Sequence, residues 1–243
     1  MKVSIAMTCY NTSQFIKEAI KSVVQQTYKD WELVIVDDAS TDNTVEVVMG
    51  CLVKFGICNK SRLFIHNENF GCGKTLLDAI NFSSGELVAV LDSDDVLHPN
   101  ALSLVVLPHV TNKNVSLVYT NYMVCNSKLE NLRLVKNFQI PQGRSYIDYM
   151  KGVSHLKCFK KRLYEKTNSL DETLLKSVDK DLILRLEEVG KLYYVDTVGY
   201  FYRDHRNNLS NSFFKRPRDE QLMLRKARKD IVENAKIRRN GVA

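Results

Sequence analysis

No stretch of this 243-residue chain approaches the ~20 consecutive apolar residues that span a bilayer, so no membrane-crossing helix is expected. The apolar part of Met1-Lys2-Val3-Ser4-Ile5-Ala6-Met7 is too short for a secretory leader and runs into a polar turn. The expected compartment is therefore the cytoplasm. No C-x-x-C pair occurs among the six cysteines, Cys9, Cys51, Cys58, Cys72, Cys125 and Cys158. That argues against a zinc module and gives no disulfide framework, leaving reduced, partly buried thiols. Internal repeats, low-complexity tracts and obvious linkers are missing too. So is a basic face on the body of the chain. The formal charge is +7, but ten Lys/Arg and four Asp/Glu between Lys215 and Ala243 supply +6 of it, leaving +1 for the other 214 residues. The basic character belongs to a tail, and no nucleic-acid partner is expected.

What is present has the balance of a soluble globular protein, with 44% hydrophobic and 26% charged residues, enough for one α/β domain with a short appendage. Val3 to Met7 is a short apolar run ending at Thr8-Cys9-Tyr10-Asn11. Ser13 can cap a following helix whose apolar positions Ile16, Ala19, Ile20, Val23 and Val24 keep helical spacing. Trp31 to Val36 reads as a second strand stopping at Asp37-Asp38, and Asp42 to Thr44 opens a helix through Val48 and Leu52. Arg62 to Ile65 is a third strand, Thr75 to Phe82 a helix, and Leu87 to Leu91 a fourth strand ending at Asp92. This alternation predicts a Rossmann-like, mostly parallel mixed sheet with helices on both faces. Ligands of such sheets bind at the carboxyl ends of the strands. Three strands here end in polar or acidic clusters, which a parallel arrangement brings to one edge. Beyond Asn100 the pattern predicts a helix over Leu102 to Val110, a strand over Val115 to Tyr122, and a hairpin or loop over 126–145. A helix over Asp181 to Val189 and strands over Leu192 to Val195 and Val198 to Tyr202 follow.

Asp92-Ser93-Asp94-Asp95 places three carboxylates within four residues, and their repulsion grows with burial. A hard divalent cation, Mg²⁺ or Mn²⁺, relieves it while sharing phosphate oxygens; an exposed turn capping the next helix is the plainer alternative. Asp37-Asp38 can accept from a ribose or base, or can belong to a turn with Thr41 and Asp42 as caps. Gly71-Cys72-Gly73-Lys74-Thr75 ends like a Walker loop, but Glu68 stands where that pattern needs glycine. A phosphate-gripping NTPase loop is excluded, although Lys74 at a helix start can still approach a diphosphate. Asp179 and Asp181 open an amphipathic helix, where acids also serve the helix dipole. His205 closes Tyr202-Arg203-Asp204-His205 as a ligand for metal or phosphate.

Taken in order, these segments resemble glycosyltransferase family 2, the inverting transferases of the GT-A fold. The resemblance covers roughly residues 2–210. It runs through Ser4 to Asn11, Gln26-Thr27-Tyr28, Glu32 to Asp42, Asn69-Phe70-Gly71, Gly85-Glu86, Leu91 to Asp95, and Asp179-Lys180-Asp181-Leu182 to Leu186. It implies a GT-A domain over 1–214, with a donor half of about 1–100 and an acceptor half of about 101–214, and a basic amphipathic helix over 215–243. It also implies that Thr8, Tyr10 and Asp38 hold the nucleoside, and that Asp92 and Ser93 face the donor. Asp94, Asp92 and His205 would bind the metal, and Asp179 would be the general base. The implied reaction moves a sugar from a nucleotide-sugar, expected to be a UDP-sugar, to a hydroxyl of a glycan or lipid-linked acceptor. Two departures stand out. The basic residue that the family often carries after the Gly71 loop is replaced by Thr75-Leu76-Leu77, with Lys74 as a substitute, and Val178 occupies a common Glu position.

Two other readings compete: a nucleotidyltransferase, which would need a glycine-rich basic loop after the first strand, and a catalytically silent sugar-nucleotide-binding protein. In the tail, Leu224, Ala227, Ile231 and Ala235 form an apolar stripe among basic residues. The stripe either packs on the domain or lies on the inner face of an anionic membrane.

Overall fold

A computed structural model describes residues 1–205, 208 and 218–241. The boundary expected between 214 and 215 lies outside them. The first hundred residues form β1 (Val3–Cys9), α1 (Ile16–Val24), β2 (Trp31–Asp37), α2 (Thr44–Lys54), β3 (Ser61–Ile65), α3 (Cys72–Phe82), β4 (Leu87–Asp92) and the two-residue β5 (Val96–Leu97). Then come α4 (Ala101–Thr111), β6 (Val115–Cys125), β7 (Arg133–Val135), β8 (Lys157–Lys160), α5 (Lys161–Tyr164), α6 (Val178–Val189), β9 (Lys191–Arg203) and α7 (Arg218–Asn240).

Among the described residues the strands make one sheet in the order β3-β2-β1-β4-β8-β6-β9-β5, with β7 paired to β6. β1, β2, β3 and β4 are mutually parallel, as their unbroken apolar runs require when both faces are covered. β8 then enters antiparallel to β4 and to β6, so the sheet is mixed in its second half. Alternate side chains divide between two cores. Val3, Ile5 and Met7 of β1 pack with Ile16, Ile20 and Val23 of α1, Val48 of α2 and Leu102 of α4. Ala6, Val36, Val88 and Val90 pack on the other face with Leu76 and Ile80 of α3, Leu182 and Leu186 of α6, and Ile231 and Ala235 of α7.

Several local expectations change. α1 begins at Ile16 with Phe15 at its cap position, and Ser13 caps nothing. α3 starts three residues early, because Gly73 donates its N–H to the Leu174 carbonyl at 3.0 Å. A Cβ at Gly73 would lie 2.5 Å from that oxygen, so only glycine fits this crossing between the two halves of the chain. α6 includes Val178 and Asp179, and the two strands expected after Leu192 are one strand with register shifts. β5 and β8 were not foreseen.

The stripe on α7 is spent on the domain: Ile231 is 2% and Ala235 0% exposed. Arg238 pairs with Glu188 at 2.9 Å and Arg239 with Glu187 at 2.7 Å, fastening α7 to the end of α6. No helix among the described residues is long and apolar enough to cross a membrane.

Candidate active site

The parallel register brings the strand ends together. Thr8 stands beside Asp92 and Cys9 beside Asp37. Thr8 is half-buried, and Tyr10 beyond it is 46% exposed. The loops after β1 and β2 interlock: Asn11 Oδ1 accepts from the N–H groups of Thr41 (2.8 Å) and Asp42 (3.2 Å). Asn11 and Ala39 both hold positive φ to make this fit, at 53° and 59°, a conformation that non-glycine residues keep only when their surroundings impose it. Asp37 is fully buried and turns back to Ser40, whose N–H donates at 2.8 Å. Asp38 accepts from the N–H groups of Phe70 (2.9 Å) and Gly71 (2.8 Å), and its Oδ1 lies 2.8 Å from His66 Nδ1. Three partners leave its carboxylate about one lone pair for a base.

Lys74 is placed away from the role expected of it. Its ammonium binds Asp78 at 2.7 Å and lies 3.8 Å from Glu172. Asp78 in turn meets His66 Nε2 at 3.1 Å, so Lys74 closes the chain Asp38–His66–Asp78 on the flank of α3. The first turn of α3 is not a phosphate cradle either, since Gly71 and Gly73 have given their N–H groups to Asp38 and Leu174.

The acidic turn after β4 divides by task. Asp95 is fully buried and does not cap α4; it accepts from the Arg203 N–H at 2.7 Å and the Tyr200 hydroxyl at 2.8 Å. Ser93 is 4% exposed beneath the turn. Asp94 reaches the other way, with Oδ2 3.0 Å from His205 Nε2. Arg203 holds the arrangement together: it donates to the Asp94 carbonyl at 2.7 Å and the Glu18 carboxylate at 2.6 Å, and lies 4.8 Å over the Phe15 ring. Asp92 faces the cleft with Asp95 and His155, their ligand atoms all within 4.8 Å of one another. Burial, against the pull of Lys157 and reinforced by Asp94 and Asp179, raises Asp92 to about 6. Burial keeps His155 far below the ordinary imidazole value, stacked 4.5 Å from Tyr200.

Two acids of α6 diverge in the same way. Asp181 is 2% exposed and structural, bound by Arg185 Nε at 2.7 Å and by the Asp171 N–H at 3.2 Å. Asp179 is partly buried at the helix start, where Ser177 adopts a left-handed φ of 61°. Burial pushes the Asp179 carboxyl up, but Lys180 and Lys157 outweigh it and hold it below the ordinary range. Val178 packs into the core at 7% exposure, so the position where a glutamate was missed is an interior one. Sequence reasoning assigned nothing to His155 or Lys157, and did not give Arg203 its anchoring role.

Asp94 and His205 together suit a divalent cation, while Asp92 is grouped instead with Asp95 and His155. Carboxylate oxygens accept Mg²⁺ or Mn²⁺, and a nitrogen in the set favours Mn²⁺, because Mg²⁺ prefers all-oxygen surroundings. Asp92 is raised chiefly by burial, with Asp94 and Asp179 adding to it.

A mostly parallel sheet whose acidic strand ends share one edge is an α/β ligand-binding arrangement. A family model described as Glycosyl transferase family 2 matches residues 4–173, and the chain belongs to that family. It is 28% identical to hyaluronan synthase of Pasteurella multocida over 242 residues, which is 99% of this chain and 23% of that one. It is 34% identical over 150 residues to the UDP-Glc:alpha-D-GlcNAc-diphosphoundecaprenol beta-1,3-glucosyltransferase of Escherichia coli, covering 62% of this chain and 55% of that one. The chain thus spans about a quarter of the first relative's length and about half of the second's. The crystal structure of Staphylococcus aureus TarS 1–349 in complex with UDP-GlcNAc superposes with a TM-score of 0.70 at 22% identity, over 86% of this chain and 60% of that one. The fold is the GT-A fold.

Proposed function

We propose that this domain is a metal-dependent inverting glycosyltransferase that moves a sugar from a UDP-sugar to a hydroxyl of a glycan or lipid-linked acceptor. The observation that carries the reading is Asp179, a carboxylate at the start of α6 held below the ordinary range and close enough for its charge to act on Asp92. Thr8, Tyr10 and Asp38 line the nucleoside end, and Asp92 and Ser93 the donor's centre. Lys74 supports Asp38 through Asp78 and His66, and does not contact phosphate in this assignment.

The acceptor hydroxyl loses its proton to an Asp179 oxygen as its own oxygen bonds to the anomeric carbon. The bond from that carbon to the diphosphate oxygen breaks on the opposite side, inverting configuration and releasing UDP. Mn²⁺ or Mg²⁺, held by Asp94 and His205 with Asp92 alongside, would supply neutralisation of the charge on the departing diphosphate. Asp179 needs no covalent partner, which suits a single displacement.

A UDP-sugar donor is favoured over other nucleotides by the UDP-named relative and the UDP-GlcNAc complex. A lipid-linked acceptor would place the protein at the inner membrane face, where the exposed Lys226, Arg228 and Lys229 of α7 supply attraction beside the exposed Leu222, Met223 and Ile237. Thermal shift and calorimetry with UDP, GDP and UDP-sugars, each with Mn²⁺ and with chelator, test the donor assignment. Metal-dependent stabilisation by UDP species is the expected result; stabilisation by none of these nucleotides would overturn it.

A further inference from the structure

Lys157 is a buried lysine at this cleft whose setting none of the assigned roles explains. It opens β8 opposite Val90 of β4, on the sheet face that Val88, Val90 and Phe159 share with α6. It is only 4% exposed. Its ammonium makes no hydrogen bond or ion pair to any described residue, yet it is not sealed from solvent as the unpartnered atoms of Trp31 and His109 are. Burying an ammonium without a partner costs several kilocalories per mole, so a partner that arrives with substrate is the economical explanation.

The two sides of β4 indicate which part of a donor that partner is. Asp94 and His205 lie on the α1 side, where the His205 ring packs 4.4 Å from Phe15. Asp92 follows Val90 by two residues on β4 and so shares its face, and Asp179 begins the helix covering that face. In-line displacement requires leaving group and base on opposite sides of the anomeric carbon. With the diphosphate at Asp94 and His205 and the base at Asp179, the sugar ring spans Asp92 and lies over Lys157.

We infer that Lys157 is a donor-sugar contact: its ammonium donates hydrogen bonds to oxygens of the transferred sugar and holds the anomeric carbon between Asp92 and Asp179. Its charge acts on both carboxylates, lowering each against the effect of burial. The assignment rests on the donor reading above, and adds to it a residue that distinguishes sugar from nucleotide.

The test is calorimetric titration, with Mn²⁺ present, of UDP, UDP-glucose, UDP-N-acetylglucosamine and UDP-glucuronic acid into wild type, Lys157→Met and Lys157→Arg. Met removes a buried charge at similar volume, so the variant should fold, and UDP binding serves as its internal control. The expected result is UDP affinity within about twofold of wild type, while the preferred UDP-sugar weakens about tenfold to a hundredfold, the worth of a charged hydrogen bond. Lys157→Arg should recover part of the loss. Unchanged UDP-sugar affinity in the Met variant would overturn the assignment, and so would parallel loss of UDP and UDP-sugar, which would place the ammonium on the diphosphate or in a structural role. Wild type that binds no UDP species would remove the donor reading itself, and Lys157 with it, a result distinct from either of those.

Discussion

The two ends of the same parallel strands treat buried carboxylates in opposite ways. At the amino end, Glu32 of β2 accepts from the Ser4 hydroxyl (2.6 Å), the Lys2 ammonium (2.9 Å) and the Ser84 N–H (2.6 Å), with Arg62 at 3.3 Å. Burial works against its ionisation, but these donors prevail and bring it to about 2. At the carboxyl end, burial, reinforced by Asp94 and Asp179 and only partly opposed by Lys157, raises Asp92 to about 6. One end is saturated with donors and serves stability. The other holds its carboxylate above the ordinary range, as perturbed groups at functional sites are.

The largest effect should come from Asp179→Asn, which is expected to lower kcat about 10²- to 10⁴-fold while leaving UDP and Mn²⁺ binding intact. Calorimetry showing lost donor affinity would instead make Asp179 a helix cap. Asp181→Asn, two residues on, should do the reverse: it loosens Arg185 and the Asp171 turn, costing roughly 2 kcal/mol of stability with turnover per folded molecule unchanged.

Glu32→Gln is expected to cost about 3 kcal/mol, read as a fall of roughly 5–10 °C in Tm with no change in kcat. The depressed Glu32 contributes stability above the ordinary glutamate value of 4.5 that is lost as pH falls through about 2. Wild type should therefore lose this increment on acidification while the Gln variant has none to lose. Asp92→Asn should move the other way. A raised carboxyl favours the folded state below its ordinary value of 3.8, and this contribution is lost as pH rises through about 6. The ligand-free Asn variant should thus melt higher than wild type at pH 7.5, by the equivalent of roughly 1–3 kcal/mol, while turning over more slowly. A lower Tm would show the carboxyl end to be as satisfied as the amino end. The smallest effect belongs to Arg239→Ala on α7, about 1 kcal/mol or less by urea titration, since its partner Glu187 is near the surface.

The first four strands were legible because short apolar runs ending in polar clusters have one parallel solution, which brings the ends of β1, β2 and β4 to one edge. The membership of Asp94 and His205 in one place was readable only through the family resemblance. β8 was hidden: Lys157-Cys158-Phe159-Lys160 is buried throughout, so lysines that look like surface positions stand inside the sheet. Asp95 looked like a cap because helix starts favour acids, whereas its partners Tyr200 and Arg203 lie more than a hundred residues away, a separation no local pattern encodes. The fate of the α7 stripe turned on a partner surface formed by α6, which periodicity cannot name.

Arg203 joins residues 185 positions apart when it binds Glu18, and its strand is what fixes the acidic turn. Loop closure over such a span is a late event in folding. During synthesis the first four strands can pair long before β9 emerges, so a growing chain would have the loops after β1 and β2 in place while the acidic turn after β4 still lacked its partners. Refolding should show the same order, with Mn²⁺-dependent UDP binding returning after the helical signal has recovered.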